Sequence, residues 1–345
     1  MLVVLTIILV IGISLNIFQT NEKILVEESD VVKDEKLDVN EESLPNEENR
    51  PTEGISTYIG QTIDTFQKEY GKPTRIDPSY YGYSWYIYNN DDRYMMVGVL
   101  NHSIVSIAVA TANIDTSPFK IGENLESVYQ KMTMQPEIEL KIEEGVYRFE
   151  LFEDDLNINP LIPLGDIFAQ LYFDQFEGNL LFIRFMDEKT LVKHRPYDMT
   201  YRGKLIEAGP MTDEEWSLAD SATEKQIFEL TNIIRNEFSL EELTWDEAVR
   251  EVAFNHSVDM FETETFSHES EKFGQLADRL ARGNIFFESA GENIAYQYTD
   301  SIAVVSGWLN SKGHRDTLLN ENFTHIGVGV YKKYYTQIFL EKSWE

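Results

Sequence analysis

The 345-residue chain has no cysteine. That excludes disulfides, thiolate zinc sites, a cysteine nucleophile and a lipid-modified N-terminal cysteine. It is also poor in positive charge: 29 Lys and Arg stand against 60 Asp and Glu, a formal net charge of -31. So acidic a chain repels nucleic acid and anionic lipid surfaces, and neither is expected as a direct partner. Excess acid also serves solubility, and basic peptides, cationic wall components and divalent metals stay compatible with it. Two catalytic signatures are missing: there is no HExxH and no nucleophile elbow. An exported protein without disulfides is held by its core alone, which suits a Gram-positive-like exterior.

Met1 to Phe18 carries no charged residue. At ~1.5 Å per residue a helix of this length nearly spans the ~30 Å bilayer core. No basic residue precedes it and no A-x-A site follows it. Glu22, Glu27, Glu28 and Asp30 outnumber Lys23 on its flank. Residues 1–19 are therefore expected to be an uncleaved transmembrane anchor with the rest outside, in preference to a cleaved signal peptide. Residues 20–54 hold 12 acidic and 4 basic residues and no aromatic, which predicts a disordered acidic linker.

Residues 55–205 read as a small α+β domain with a weak internal repeat. Ile59-Gly60-Gln61-Thr62-Ile63 matches Ile121-Gly122-Glu123-Asn124-Leu125, and each opens a short amphipathic helix. Helices ending near Pro73 and Pro136 are followed by Tyr83–Tyr88 and Tyr147–Phe152, then by the acidic pairs Asp91-Asp92 and Asp154-Asp155, read as solvated turns. Strand-turn-strand patterns follow, turning at Asn101-His102-Ser103 and near Glu177-Gly178-Asn179. No catalytic constellation stands out, so a binding or spacer role is expected. Residues 206–221 read as a polar connector broken by Gly209 and Pro210.

From Thr223 the pattern is helical, with Ile227, Leu230 and Ile234 on one face. Thr244-Trp245-Asp246-Glu247 reads as a capping box with Thr244 as N-cap. The helix it opens is expected to bury Val249, Val252, Ala253 and Met260, with His256 as a hydrogen-bonded core residue on the same face.

Several segments then resemble one family. They are Leu243-Thr244-Trp245-Asp246, Ala253 through Met260, and Phe266-Ser267-His268. Gly291-Glu292-Asn293-Ile294-Ala295 follows, then Trp308 through Arg315 and Phe323 through Gly329. In this order they resemble the CAP superfamily of cysteine-rich secretory, antigen 5 and pathogenesis-related proteins, over about residues 222–345. The middle domain resembles in layout the N-terminal domain that accompanies certain bacterial CAP domains. The resemblance implies a three-layer α-β-α sandwich with an open cleft.

Carried over by motif, the cleft residues are His268, Glu292 and His314. Ser311 stands where eukaryotic members have a second glutamate. His325 is a further cleft candidate. Two imidazoles and a carboxylate suit a divalent metal such as zinc, held tentatively by His268, His314 and Glu292. The same groups suit general acid–base work. Asn293 is expected to tie a loop to the sheet, Trp308 to sit in the core, and Arg315 to pair with a nearby acid.

Three functions compete. The first is a surface-tethered module binding a peptide, a wall component, a lipid or a metal without turnover. The second is a hydrolase of peptide or wall material that uses the His/Glu cleft. The third is lipid or sterol binding, known for some eukaryotic members, in a groove lined by Ile285-Phe286-Phe287 and Tyr296-Gln297-Tyr298.

Overall fold

The computed structural model describes residues 49–90 and 93–342. The expected anchor, most of the acidic linker and Asp91-Asp92 lie outside the described residues. Among the described residues, no helix is long and apolar enough to cross a membrane.

The N-terminal domain opens with α1 (Ile63–Tyr70), β1 (Arg75–Pro78), β2 (Ser84–Asn90), β3 (Arg93–Leu100) and β4 (Ser103–Val109). It continues with α2 (Leu125–Lys131), β5 (Glu137–Ile142), β6 (Gly145–Glu150), α3 (Glu153–Ile158), β7 (Leu161–Leu164), β8 (Ile167–Phe173), β9 (Leu180–Asp187), α4 (Glu188–His194) and β10 (Asp198–Arg202). Seven of these strands form one sheet in the order β1-β2-β3-β4-β9-β8-β7.

The two copies share their backbone bonding. Gly60 N–H donates to Ile104 O (2.7 Å), and Gly122 N–H donates to Leu180 O (2.8 Å). Both glycines have φ near +85°, at +85° and +87°, where a side chain is strained. The copies meet in the middle of the sheet. Ile107 pairs with Phe185 and Val109 with Ile183, a self-complementary register about the Ala108–Arg184 pair. The copies also diverge. The β5–β6 hairpin leaves the main sheet and pairs with β10 in a separate three-stranded one. Asp154 and Asp155 lie in the first turn of α3 rather than in a solvated turn, and Asp155 Oδ2 accepts from Phe152 N–H at 2.9 Å. Negative charge is favourable there, against the positive end of the helix dipole.

The C-terminal domain comprises α5 (Asp213–Glu237), β11 (Thr244–Trp245), α6 (Glu247–Thr263), α7 (Leu276–Arg282), β12 (Ser289–Tyr296), α8 (Ser301–Leu309), α9 (Lys312–Leu318), β13 (His325–Tyr331) and β14 (Tyr334–Glu341). Its sheet runs β11-β13-β14-β12, which leaves β12 at an edge. α6 and α7 cover one face, and α5, α8 and α9 the other.

Two boundaries differ from the sequence reading. α5 starts ten residues before Thr223, because Thr212 and Glu215 form a capping box: Glu215 N–H donates to Thr212 Oγ1 (3.3 Å) and Thr212 N–H to Glu215 Oε2 (2.7 Å). Thr212→Ala is expected to lower stability by about 1 kcal/mol, read as a shift in the urea midpoint without a change in slope. At the next helix Asp246, not Thr244, is the N-cap. Asp246 Oδ1 accepts from Ala248 and Val249 N–H, while Thr244 and Trp245 pair with β13 as a strand.

The two domains share a core. The seven-stranded sheet packs one face on α1 and α2, through Met95, Val97, Ile107 and Phe185. The other face meets α5 and α8, where Trp85, Met96, Tyr172 and Phe182 join Ile227, Leu230, Ile302 and Trp308 in one cluster. α5 is thus buried between two sheets. Polar contacts stitch the same interface. The fully buried Arg184 pairs with Asp300, Tyr80 Oη donates to Asp220 Oδ1 (2.8 Å), and Gln226 Nε2 donates to Asp77 Oδ2 (2.9 Å).

Candidate functional site

The site forms around the exposed edge of β12. Successive side chains of a strand point to opposite faces, so neighbours Glu292 and Asn293 reach opposite layers. Glu292 turns towards α6 and α7, and its side chain is 4% exposed. Asn293 turns towards α9, and its Nδ2 donates to His314 O (3.1 Å) and Gln337 Oε1 (3.3 Å).

His268 arrives on the loop that leaves α6. The helix stops at Glu264, whose φ of 52° turns the chain away. The loop is closed by paired bonds between Ser270 and Gly274, and Ser270 Oγ accepts from Phe273 N–H at 2.9 Å. Arg279 then pins it, donating from Nη1 to His268 O at 2.8 Å. The half-exposed His268 ring bonds through Nδ1 to Glu292 Oε1 (2.9 Å). The other carboxylate oxygen accepts from Arg279 Nη2. Underneath, His256 is 1% exposed, with Nε2 3.3 Å from Arg279 Nη1 and 3.9 Å from Glu292 Oε1.

Burial works against charge on Glu292, but Arg279 beside it and the His268 hydrogen bond outweigh burial and hold the carboxyl at about 2. Glu292 is therefore ionised and accepts, so His268 Nδ1 carries the proton of this bond and Nε2 is the ring's second polar atom. His256 is lowered to about 4 by burial and then by Arg279, after a partly offsetting pull from Glu292. His314 is likewise held at about 4, by burial and by His268. At neutral pH the site combines one neutralised ion pair with neutral His256 and His314.

His314 projects from the first turn of α9, and its ring makes no hydrogen bond with a described residue. Ser311 is the N-cap of α9 without a side-chain cap bond, and it is not hydrogen-bonded to His314. A serine–histidine pair is therefore not assembled. His325 is not brought to the site either. It opens β13, with β14 between it and β12, and the register sets it level with Ala290, while its Nδ1 meets Thr324 Oγ1 at 2.8 Å. Trp308 is core, donating from Nε1 to Ile294 O (3.1 Å). Arg315 pairs with Asp174 of the N-terminal domain (2.8 Å).

The metal set expected from sequence is not assembled as a group. Among the described residues, no three His, Asp or Glu side chains are arranged to hold an ion. The physical reason is Arg279, which occupies Glu292 and sets a fixed positive charge beside it. The two aromatic segments do not line one groove. Ile285 and Phe287 pack under α6 and α7, Tyr298 packs against the interdomain core, and Tyr296 lies against Tyr334 with ring centroids 4.2 Å apart.

Sequence reasoning missed Arg279 and gave His256 only a core role. The signal for Arg279 was present: Leu276 and Leu280 mark the buried face of α7, and position 279, three residues after Leu276, falls on that face. An arginine buried in a helix requires a buried acceptor.

The chain matches two family models. Residues 59–197 match the CAP-associated N-terminal domain, and residues 228–340 match the cysteine-rich secretory protein family. It is 45% identical over 321 residues to the uncharacterized membrane protein YlbC of Bacillus subtilis (strain 168), covering 91% of this chain and 92% of that one. Among solved structures, it resembles an extracellular protein containing an SCP domain from Bacillus anthracis str. Ames. That match has a TM-score of 0.81 at 41% identity and covers 90% of this chain and 100% of the other. A cysteine-rich secretory protein from Staphylococcus aureus subsp. aureus Mu50 matches with a TM-score of 0.78 at 27% identity, covering 86% and 97%.

Proposed function

The chain belongs to the cysteine-rich secretory protein (CAP) family, with a CAP-associated domain ahead of the CAP domain, and we propose that its cleft captures an uncharged polar ligand without turning it over. The observation that carries this reading is the commitment of Glu292. Both of its oxygens are engaged, and at about 2 its carboxyl is far too weak a base to take a proton near neutrality. His268 and His314 remain as the groups free to meet a ligand, one through Nε2 of its half-exposed ring and the other through an imidazole with no hydrogen bond to a described residue. Such a pair suits the amides and hydroxyls of a peptide or wall fragment. Arg279 disfavours a cation at the carboxylate. The apolar N-terminal run, with one relative a membrane protein and another an extracellular one, supports a folded part held outside a membrane.

The test is incubation with casein and with peptidoglycan, alongside calorimetry with soluble muropeptides. No turnover is expected, and muropeptide or peptide binding should weaken at least tenfold in His268→Ala and in His314→Ala. Turnover that disappears in Glu292→Gln would establish the hydrolase instead.

A further inference from the structure

The two copies in the N-terminal domain differ most usefully in one turn. In the first copy β3 and β4 are joined by two residues, Asn101 and His102, both at positive φ (49° and 72°). That is the tightest hairpin connection a twisted sheet allows. In the second copy β8 and β9 are joined by residues 174–179. This longer turn is internally fixed. Asp174 N–H donates to Asn179 O (2.9 Å), Gly178 N–H to Asp174 O (2.7 Å), and Phe176 N–H to Asp174 Oδ1 (2.9 Å).

The longer turn grips the C-terminal domain at two points. Asn310, the first of the two residues between α8 and α9, donates from Nδ2 to Phe173 O (2.8 Å) and accepts at Oδ1 from Gln175 N–H (2.7 Å). The Gln175 side chain also donates to Asn310 O. Arg315 donates to Asp174 Oδ2 (2.8 Å), reaches Glu177 at 3.6 Å and lies over the Phe176 ring at 4.8 Å. Asn310 and Arg315 bracket Ser311 and His314.

We propose that the turn of residues 174–179 in the N-terminal domain is a positioning element for the cleft, holding Asn310 and Arg315 on either side of His314 and so setting where that ring stands. The N-terminal domain is then part of the site's framework rather than a spacer. From the far side Asn293 holds His314 O, so the first turn of α9 is fixed between two domains. A side chain that must meet a ligand has to be held to within a fraction of an ångström by its supports. Without the grip, the α8–α9 corner keeps only its contacts within the C-terminal domain, among them Asn293 to His314 O and Arg235 to Leu318 O. This inference concerns the cleft of the preceding reading, but its test reads the ring and not a ligand, so either can fail without the other.

The chain has six histidines, so 13C-histidine labelling of the full-length protein gives a small set of ring signals to follow through a pH titration. In Asn310→Ala and Asp174→Ala, the His314 midpoint is expected to move from about 4 towards the ordinary 6.5 by at least one unit, as the ring loses its burial. His256, on α6 across the sheet, is the control and should not move. Should Asp174→Ala fail to fold, Asn310→Ala decides alone. A wild-type His314 titration in folded Asn310→Ala overturns the proposal, and so does an equal shift at His256.

Discussion

Gly329→Ala is expected to lower stability by about 3 kcal/mol or more, at or beyond the upper end of overpacking costs. A Cβ there would stand 1.9 Å from Phe254 N and 2.3 Å from Phe254 Cα, both backbone atoms of α6 that no side-chain rotation can clear. Gly327, two residues earlier on the same face, is as tight, at 2.2 Å from Arg250 N. These glycines let α6 lie directly on β13, where Ser257 Oγ donates to Gly329 O at 2.9 Å. His256 precedes Ser257, so the same close approach sets His256 beneath Glu292. The variant should therefore lose both stability and the His256 environment. Gly122→Ala is the contrast. Its φ is also unfavourable, at +87°, but nothing stands within 4 Å, so about 1–2 kcal/mol is expected. Urea unfolding of the two variants checks the order, and a Gly329→Ala protein within 1 kcal/mol of wild type would refute the packing argument.

Arg279→Ala should be as severe for a different reason. It leaves the Glu292 carboxylate buried with only His268 as partner, and uncompensated buried charges cost about 3–5 kcal/mol. It should also reverse the pH dependence of this group. In the wild type, Glu292 falls from 4.5 to about 2 on folding. Its contribution, on the order of 3 kcal/mol, is present above pH 4.5 and is lost as pH falls towards 2. His256 and His314, lowered from 6.5 to about 4, act in the same direction: their contribution is whole above pH 6.5 and is lost as pH falls towards 4. Without Arg279, burial lifts the Glu292 pKa above 4.5, so that group favours the folded state at mildly acidic pH and opposes it as pH rises. Denaturant midpoints at pH 7 and pH 5 are the measurement. Wild type should be less stable at pH 5, and the variant should lose less on acidification. An unchanged pH difference would show that Arg279 does not control Glu292.

Much of the C-terminal domain was legible because its signals are local. Ile227, Leu230 and Ile234 repeat at helical spacing. In β13 the alternation of Ile326, Val328 and Val330 with Gly327 and Gly329 sets an apolar face against a bare one. The repeat in the N-terminal domain was legible from Gly60 and Gly122 for the same reason: a positive φ is a property of a single residue. What misled was position within a local pattern. Thr244 looked like a cap because threonine caps helices, yet strand pairing with β13 claimed it and passed the role to Asp246. The α5 start was missed although Thr212 and Glu215 have capping-box spacing, because the first turns of α5 are polar and continue the look of a connector.

The sequence by itself determined the family, and singled out His268, Glu292 and His314 as the residues worth watching. Only the tertiary structure decided what state they are in. Arg279 lies 13 residues from Glu292, His256 36 residues away, and Asp174 and Asn310 belong to different domains. Charge and burial act through space, so a carboxylate that reads as a base or ligand in its motif becomes the inner half of an ion pair once the chain is folded. The same holds for the N-terminal domain. Its strands could be read along the chain, but its grip on both sides of His314 appears only when the longer turn meets the α8–α9 corner.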